Sequence, residues 1–145
     1  GGELGEQELV YLEQALSAHA DADYVIVCLH HQPIPIGCDW LDEQRLADSD
    51  KLLAILSRES RVRAVLWGHV HQAFNGQDAR LPGVQLLSAP STCVQFAPNS
   101  EGFKLDQVAP GYRWLDLHPD GHIETAVSRL DGIDLAVDYA SQGYK

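Results

Sequence analysis

The sequence has no methionine and only three cysteines, and its basic residues are outnumbered two to one by acidic ones. Each scarcity excludes something. With 10 lysines and arginines against 21 aspartates and glutamates, the net charge is −11. A field of that sign repels polyanions, so no nucleic-acid partner is expected. A small phosphate ester remains admissible if metal ions supply local positive charge. Cys28, Cys38 and Cys93 show no paired spacing, and an odd number suits free thiols in a reducing compartment. Cys28 lies inside an apolar run and is expected as a small core residue. Long hydrophobic runs are also missing. Tyr24 to Leu29 is far too short to cross a bilayer, so no membrane partner is expected. The opening Gly1-Gly2-Glu3-Leu4-Gly5-Glu6 has neither the basic region nor the apolar stretch of a signal peptide. Together these features point to the cytoplasm, and the missing initiator methionine points to a natural N-terminus upstream.

What is present suffices for one compact domain or part of one: 145 residues, 45% of them hydrophobic. Leu9, Leu12 and Leu16 recur at helical spacing between Glu3 and Ala20, with Glu6 and Glu8 where the helix dipole favours them. Tyr24 to Leu29 is a short, β-branched apolar run that suits a strand buried on both faces. Gln32 to Gly37, with two prolines, reads as a loop. A second helix is expected from about Asp50 to Arg58, capped by Asp48 or Ser49. Further strands are expected over Val62 to Trp67 and Val84 to Ser88. A hairpin of Tyr112–His118 and His122–Ser128 is expected to turn at Pro119-Asp120-Gly121. From about Asp131 onward the sequence carries no firm signal. The order implies a mixed α/β fold whose early strands run parallel.

Two segments carry the chemistry. Leu29-His30-His31-Gln32-Pro33 and Trp67-Gly68-His69-Val70-His71 each follow a strand directly. In open α/β sheets, ligands bind beyond the carboxyl ends of strands. In extended backbone, positions i and i+2 project to one side, so His69 and His71 could reach one site or two adjacent metals. Gly68 offers freedom where the chain turns. Adjacent His30 and His31 should point opposite ways, leaving one of them as a ligand. Imidazoles suit zinc, iron, nickel or copper, and added carboxylates suit manganese. A lone histidine at a strand end is more often a hydrogen-bonded structural group, so the weight rests on the two segments together.

At these residues the chain resembles the calcineurin-like metallophosphoesterases. Their motif series ends in a His-His-Pro-Pro-like element, here His30-His31-Gln32-Pro33, and in Gly-His-x-His, here Gly68-His69-Val70-His71. Pro90-Ser91-Thr92-Cys93-Val94-Gln95-Phe96-Ala97-Pro98 and Ala109-Pro110-Gly111-Tyr112-Arg113-Trp114 are similar to the bacterial cyclic-AMP phosphodiesterase (Icc-type) branch. With the helix before His30, the likeness spans nearly the whole chain. It implies a four-layer α/β/β/α sandwich, a mixed sheet and a C-terminal β-hairpin. It also implies two divalent ions (iron, manganese or zinc) that act in hydrolysis of cyclic AMP to AMP. His30 and His69 would hold one ion and His71 the other, with His71 also bordering the substrate phosphate. His31 would serve in the loop rather than as a ligand, while His19, His118 and His122 match no motif and are expected to be solvated.

The family's earlier elements, Asp-x-His, Gly-Asp and Gly-Asn-His-Asp or Gly-Asn-His-Glu, are expected upstream and not within these residues. On that reading residues 1–145 are the C-terminal portion of a single metallophosphoesterase domain without its N-terminal half. Such a piece holds no catalytic residue of its own, binds metal poorly and self-associates through exposed strand edges. Two rivals share the sequence features. One is a glycerophosphodiester or broad-specificity phosphodiesterase, since the same metal core serves many esters. The other is a non-catalytic oligomerisation module in which the histidines are structural.

Overall fold

A computed structural model describes residues 1–130, 132, 136–141 and 143. Positions 131, 133–135, 142 and 144–145, within the tail read as carrying no firm signal, lie outside the described residues. Helix α1 (Gly5–Ala18) leads into strand β1 (Val25–Leu29), followed by a one-turn helix α2 (Asp39–Asp42) and helix α3 (Ser49–Leu56). Strands β2 (Val62–Trp67), β3 (Asn75–Gly76) and β4 (Gln85–Ser88) come next. A short ribbon of β5 (Gln95–Phe96) and β6 (Leu105–Asp106) then precedes the hairpin β7 (Gly111–Leu117) and β8 (Ile123–Arg129).

The main sheet has the order β1-β2-β4-β3, with β1, β2 and β4 parallel and β3 antiparallel. The expected mixed sheet, parallel early strands and C-terminal hairpin are therefore present. Alternation along β2 sends Val65 and Trp67 to one face and Ala64 and Leu66 to the other. The first face packs with Leu52, Leu53 and Leu56 of α3, Leu9 of α1, and Leu41. The second meets the hairpin through Ala64, Leu66 and Leu87 against Leu115 and Ile123. The described residues thus form three layers: helices, mixed sheet, hairpin.

Polar contacts lock the hairpin down. Arg113 donates to the Ser88 carbonyl (2.8 Å), the Phe74 carbonyl (3.2 Å) and Asn75 Oδ1 (2.7 Å), and Gln85 Nε2 donates to the Ile123 carbonyl (2.9 Å). Arg113, in one of the segments that carried the family likeness, is a clamp between layers.

Three local expectations are corrected. β1 is not buried on both faces: Val27 is buried, Cys28 is exposed, and Val25, Ile26 and Leu29 are intermediate. The reason is its place at the sheet edge, paired with β2 alone among the described residues. Cys28 is accordingly a surface thiol and not a core residue. Nor does a side chain cap α3. The Asp48 carboxylate instead accepts the N–H groups of Leu4 (3.1 Å) and Gly5 (2.9 Å) at the head of α1. Those donors lack intrahelical partners, and a carboxylate satisfies them while complementing the dipole. No helix among the described residues is long and apolar enough to cross a membrane.

Candidate metal centre

The parallel register of β1 and β2 sets Leu29 beside Trp67. The segments that leave these two strands therefore start from the same edge of the sheet. There the ligand-capable nitrogens of His30, His31 and His69 come within 4.8 Å of one another. Their ring centroids lie 5.1 Å (His30–His31), 5.3 Å (His30–His69) and 4.0 Å (His31–His69) apart. His30 is exposed and the other two are half-buried.

His30 and His31 do not point opposite ways. The backbone bends at both residues immediately after β1, so the alternation that extended geometry would impose does not apply. His31 is held there by two contacts. Its Nδ1–H donates to the Gln44 carbonyl (3.1 Å), and Gly2 lies against its ring so closely that a Cβ at position 2 would meet His31 Cδ2 at 2.6 Å.

The Gly-His-x-His segment also departs from extended geometry. His69 (φ 62°) and His71 (φ 49°) both occupy the left-handed region, which costs a non-glycine residue about 1–2 kcal/mol. The fully buried Val70 between them anchors the turn, and its N–H bonds to the Gly68 carbonyl at 2.6 Å. Such outliers persist where surrounding structure over-determines them, commonly at functional sites. The freedom expected of Gly68 is not used: its φ is not positive, and an added Cβ would approach nothing nearer than His30 Nδ1 at 3.8 Å.

As a result His69 and His71 part company. His69 joins His30 and His31, whereas His71 stacks on Phe96 (centroids 4.4 Å apart, planes 5° apart) and donates from Nδ1 to the Val94 carbonyl at 3.0 Å. His71 stays near enough for His30 to add to the burial that pushes its pKa down, against the Val94 bond that raises it. Burial also pushes His69 from its ordinary 6.5 to about 4, with repulsion from His31, His30 and His71 adding to the effect. A neutral ring keeps a lone pair, which a cationic ring lacks.

The donor set therefore fits a divalent cation. Carbonyl and amide oxygens accept only, so Nδ1 of His31 and His71 and Nε2 of His69 carry the protons. The opposite nitrogens, His31 Nε2, His71 Nε2 and His69 Nδ1, keep free lone pairs. No carboxylate belongs to the three-histidine group among the described residues.

A second convergence, Asp116, His118 and Glu124, lies on the hairpin, with both carboxylates exposed and His118 half-buried. Asp116 and Glu124 are directly paired there, and His118 Nε2 is 3.7 Å from Glu124. Two Asp-x-His strings do occur in the chain, contrary to expectation. One is Asp116-Leu117-His118, part of this group at the end of β7; the other is Asp120-Gly121-His122, where Gly121 (φ 84°) makes the hairpin turn and Asp120 accepts the His122 N–H at 2.9 Å.

No family model matches the chain. Among curated proteins it is 46% identical over 143 residues to the 3',5'-cyclic adenosine monophosphate phosphodiesterase CpdA of Pseudomonas aeruginosa, covering 99% of this chain and 51% of that protein. It is 43% identical, over 99% of this chain and 50% of the relative, to the protein of the same name from Escherichia coli K12. The chain resembles the cyclic-AMP phosphodiesterase branch of the calcineurin-like metallophosphoesterases. It spans about half the length of these relatives. A 3',5'-cyclic-nucleotide phosphodiesterase of Nostoc is 38% identical over 72% of this chain and 38% of its own length. Among solved structures, a dimetal phosphatase from Danio rerio matches the fold with a TM-score of 0.51 at 17% identity, over 86% of this chain and 38% of that one.

Sequence reasoning identified His30, His69 and His71 but set His31 aside, and it missed Gln44, which contacts both His31 and His69. No spacing rule flags a glutamine thirteen residues beyond His31. The depressed His69 pKa has a measurable consequence in the metal-free chain. Between about pH 6.5 and 4 the unfolded chain binds a proton at position 69 that the folded chain refuses. The stability this group contributes is thus fully present above pH 6.5 and lost as pH falls toward 4. Urea midpoints are expected to drop across that window, with a shallower drop for His69→Gln. An unchanged slope in the variant contradicts the assignment.

Proposed function

We propose that this chain is the C-terminal portion of a divalent-metal-dependent phosphodiesterase that hydrolyses cyclic AMP to AMP. The observation that carries the reading is the convergence of three imidazoles just past the carboxyl ends of β1 and β2, where an open α/β sheet binds its ligand. The 46% identity to a cyclic-AMP phosphodiesterase over 99% of the chain supports the substrate.

In this reading His30 and His69 hold one ion, with His31 as a third donor, and His71 serves a second ion and borders the substrate phosphate. Divalent ions there supply charge neutralisation at the phosphoryl oxygens and a nucleophilic water near neutral pH, as iron, manganese or zinc each can. The residues of this chain hold and orient. Burial keeps the His69 lone pair free at pH 7, the Val94 carbonyl fixes the His71 ring, and stacking on Phe96 restricts its rotation.

Three imidazoles fall short of the four ligands that tight sites use, and no carboxylate joins them to offset the charge of paired cations. The chain by itself is therefore expected to bind at most one divalent ion loosely, with negligible turnover. The complete enzyme, with the family's earlier motifs supplied by the remaining half, is expected to hydrolyse cyclic AMP in preference to cyclic GMP and glycerophosphodiesters. Two tight sites by calorimetry in the chain alone, or turnover near a typical ~10 per second, would overturn the division of labour. Preference for a glycerophosphodiester in the complete enzyme would overturn the substrate.

The open edge of β1 bears on partners. Beside it runs a groove of about 310 Å³ lined by Leu12, Leu16, Val25, Ile26 and Val27. In the complete protein further strands would cover this edge and extend the three layers to four. In the chain alone, unpaired N–H and C=O groups next to apolar side chains form a template for another strand, and a second copy is the occupant at hand. Light scattering is expected to show dimers or larger species at high concentration; a strict monomer contradicts this.

A further inference from the structure

Gln44 lies in the turn after α2 and meets two of the three clustered histidines through different atoms. Its backbone carbonyl accepts the Nδ1–H of His31 at 3.1 Å. Its side-chain Oε1 accepts the Nε2–H of His69 at 3.2 Å. Which end of the amide faces His69 is settled by a third contact, because Gln44 Nε2 donates to the Trp40 carbonyl at 3.1 Å. A flipped amide would set its oxygen against that carbonyl, two acceptors with no proton between them.

The support is itself braced. Trp40 Nε1–H donates to Ser100 Oγ at 3.2 Å, and the indole makes edge contacts with Phe96 and Phe103 at 5.0 and 5.3 Å. The Asp42 carboxylate gathers the N–H groups of Ile36, Gly37 and Cys38 at 2.8, 3.0 and 3.2 Å. Gln32 Nε2, fully buried, donates to the Leu41 carbonyl at 2.5 Å. The turn bearing Gln44 is thus fixed on both sides, and the two acceptors on it are fixed with it.

A neutral imidazole has one N–H and one lone pair, and the hydrogen bond made by the first decides where the second points. We infer that Gln44 is a positioning residue: its amide oxygen selects the Nε2–H tautomer of His69 and its carbonyl the Nδ1–H tautomer of His31, so that a divalent cation is met by His69 Nδ1 and His31 Nε2. The cation part rests on the metal reading of the site; the tautomer part does not.

The two contacts differ in a way that supplies an internal control. The His69 acceptor is a side-chain atom and is removed by Gln44→Leu, whereas the His31 acceptor is main chain and survives. Long-range proton–nitrogen NMR on the histidine-labelled, metal-free chain at neutral pH reads the tautomers directly. The unsubstituted chain is expected to show His69 protonated on Nε2 and His31 on Nδ1. Gln44→Leu is expected to turn His69 into a tautomer mixture while leaving His31 as it was. Gln44→Glu, which keeps an acceptor oxygen for His69 and gives up only the donor to the Trp40 carbonyl, is expected to retain the His69 tautomer. In zinc titrations Gln44→Leu is expected to weaken binding roughly 10- to 100-fold, with Gln44→Glu near the unsubstituted value. A His69 tautomer unmoved by Gln44→Leu overturns the inference, as does an equal disturbance of His31 or a zinc affinity that Gln44→Leu leaves alone. If the unsubstituted chain binds no zinc, the metal reading of the site fails, while the NMR spectra still decide the role of Gln44.

Discussion

The site depends on one pairing. β1 and β2 run parallel in a register that sets Leu29 beside Trp67, so two loops carrying histidines leave the sheet at one place. The buried residues hold that register: Val62, Ala64, Val65 and Trp67 on β2 and Val27 on β1. A slip of one residue would turn Val65 and Trp67 away from the helical layer and carry the histidine loops out of alignment. Core packing and candidate chemistry are therefore one constraint seen from two sides.

Beyond the strand ends, regular backbone stops and specific contacts take over. His69 and His71 sit at positive φ with buried Val70 between them. That geometry sends neighbouring imidazoles to separate destinations, one to the His30–His31 pair and the other to Phe96 and Val94. The hydrogen bonds there run from ring N–H groups to oxygens held by other elements, Gln44 for His31 and His69 and Val94 for His71. His69 combines a lowered proton affinity with an oriented lone pair, properties that a cation site needs and an ordinary surface histidine lacks.

Much of this was legible in the sequence. Apolar runs bounded by turn residues marked β1, β2 and β4, and the Pro119-Asp120-Gly121 turn marked the hairpin, each to within a residue or two, because the strands are short and punctuated by glycine, proline or polar residues. The strand-end histidines were legible because their positions follow from strand ends. Burial of β1 was misread: a hydrophobic run reads the same at a sheet edge as at its centre, and only the neighbouring strands distinguish Cys28 from a core residue. The His31 orientation was misread because alternation assumes extended backbone, and the chain bends at that point. Gln44 and the αL turns at His69 and His71 left no periodic trace, since both depend on contacts between segments distant in sequence. The short ribbon β5–β6 was missed for a similar reason: two-residue strands carry no pattern.

The central claim is that the imidazoles of His30, His31 and His69 face a common point that a divalent cation can occupy. Anomalous diffraction at the zinc edge from crystals of the chain grown with zinc tests it most directly. A peak is expected among these three rings, with His69 bonded through Nδ1 and His31 through Nε2. Rings turned apart, or zinc bound elsewhere with no density at that point, would contradict it.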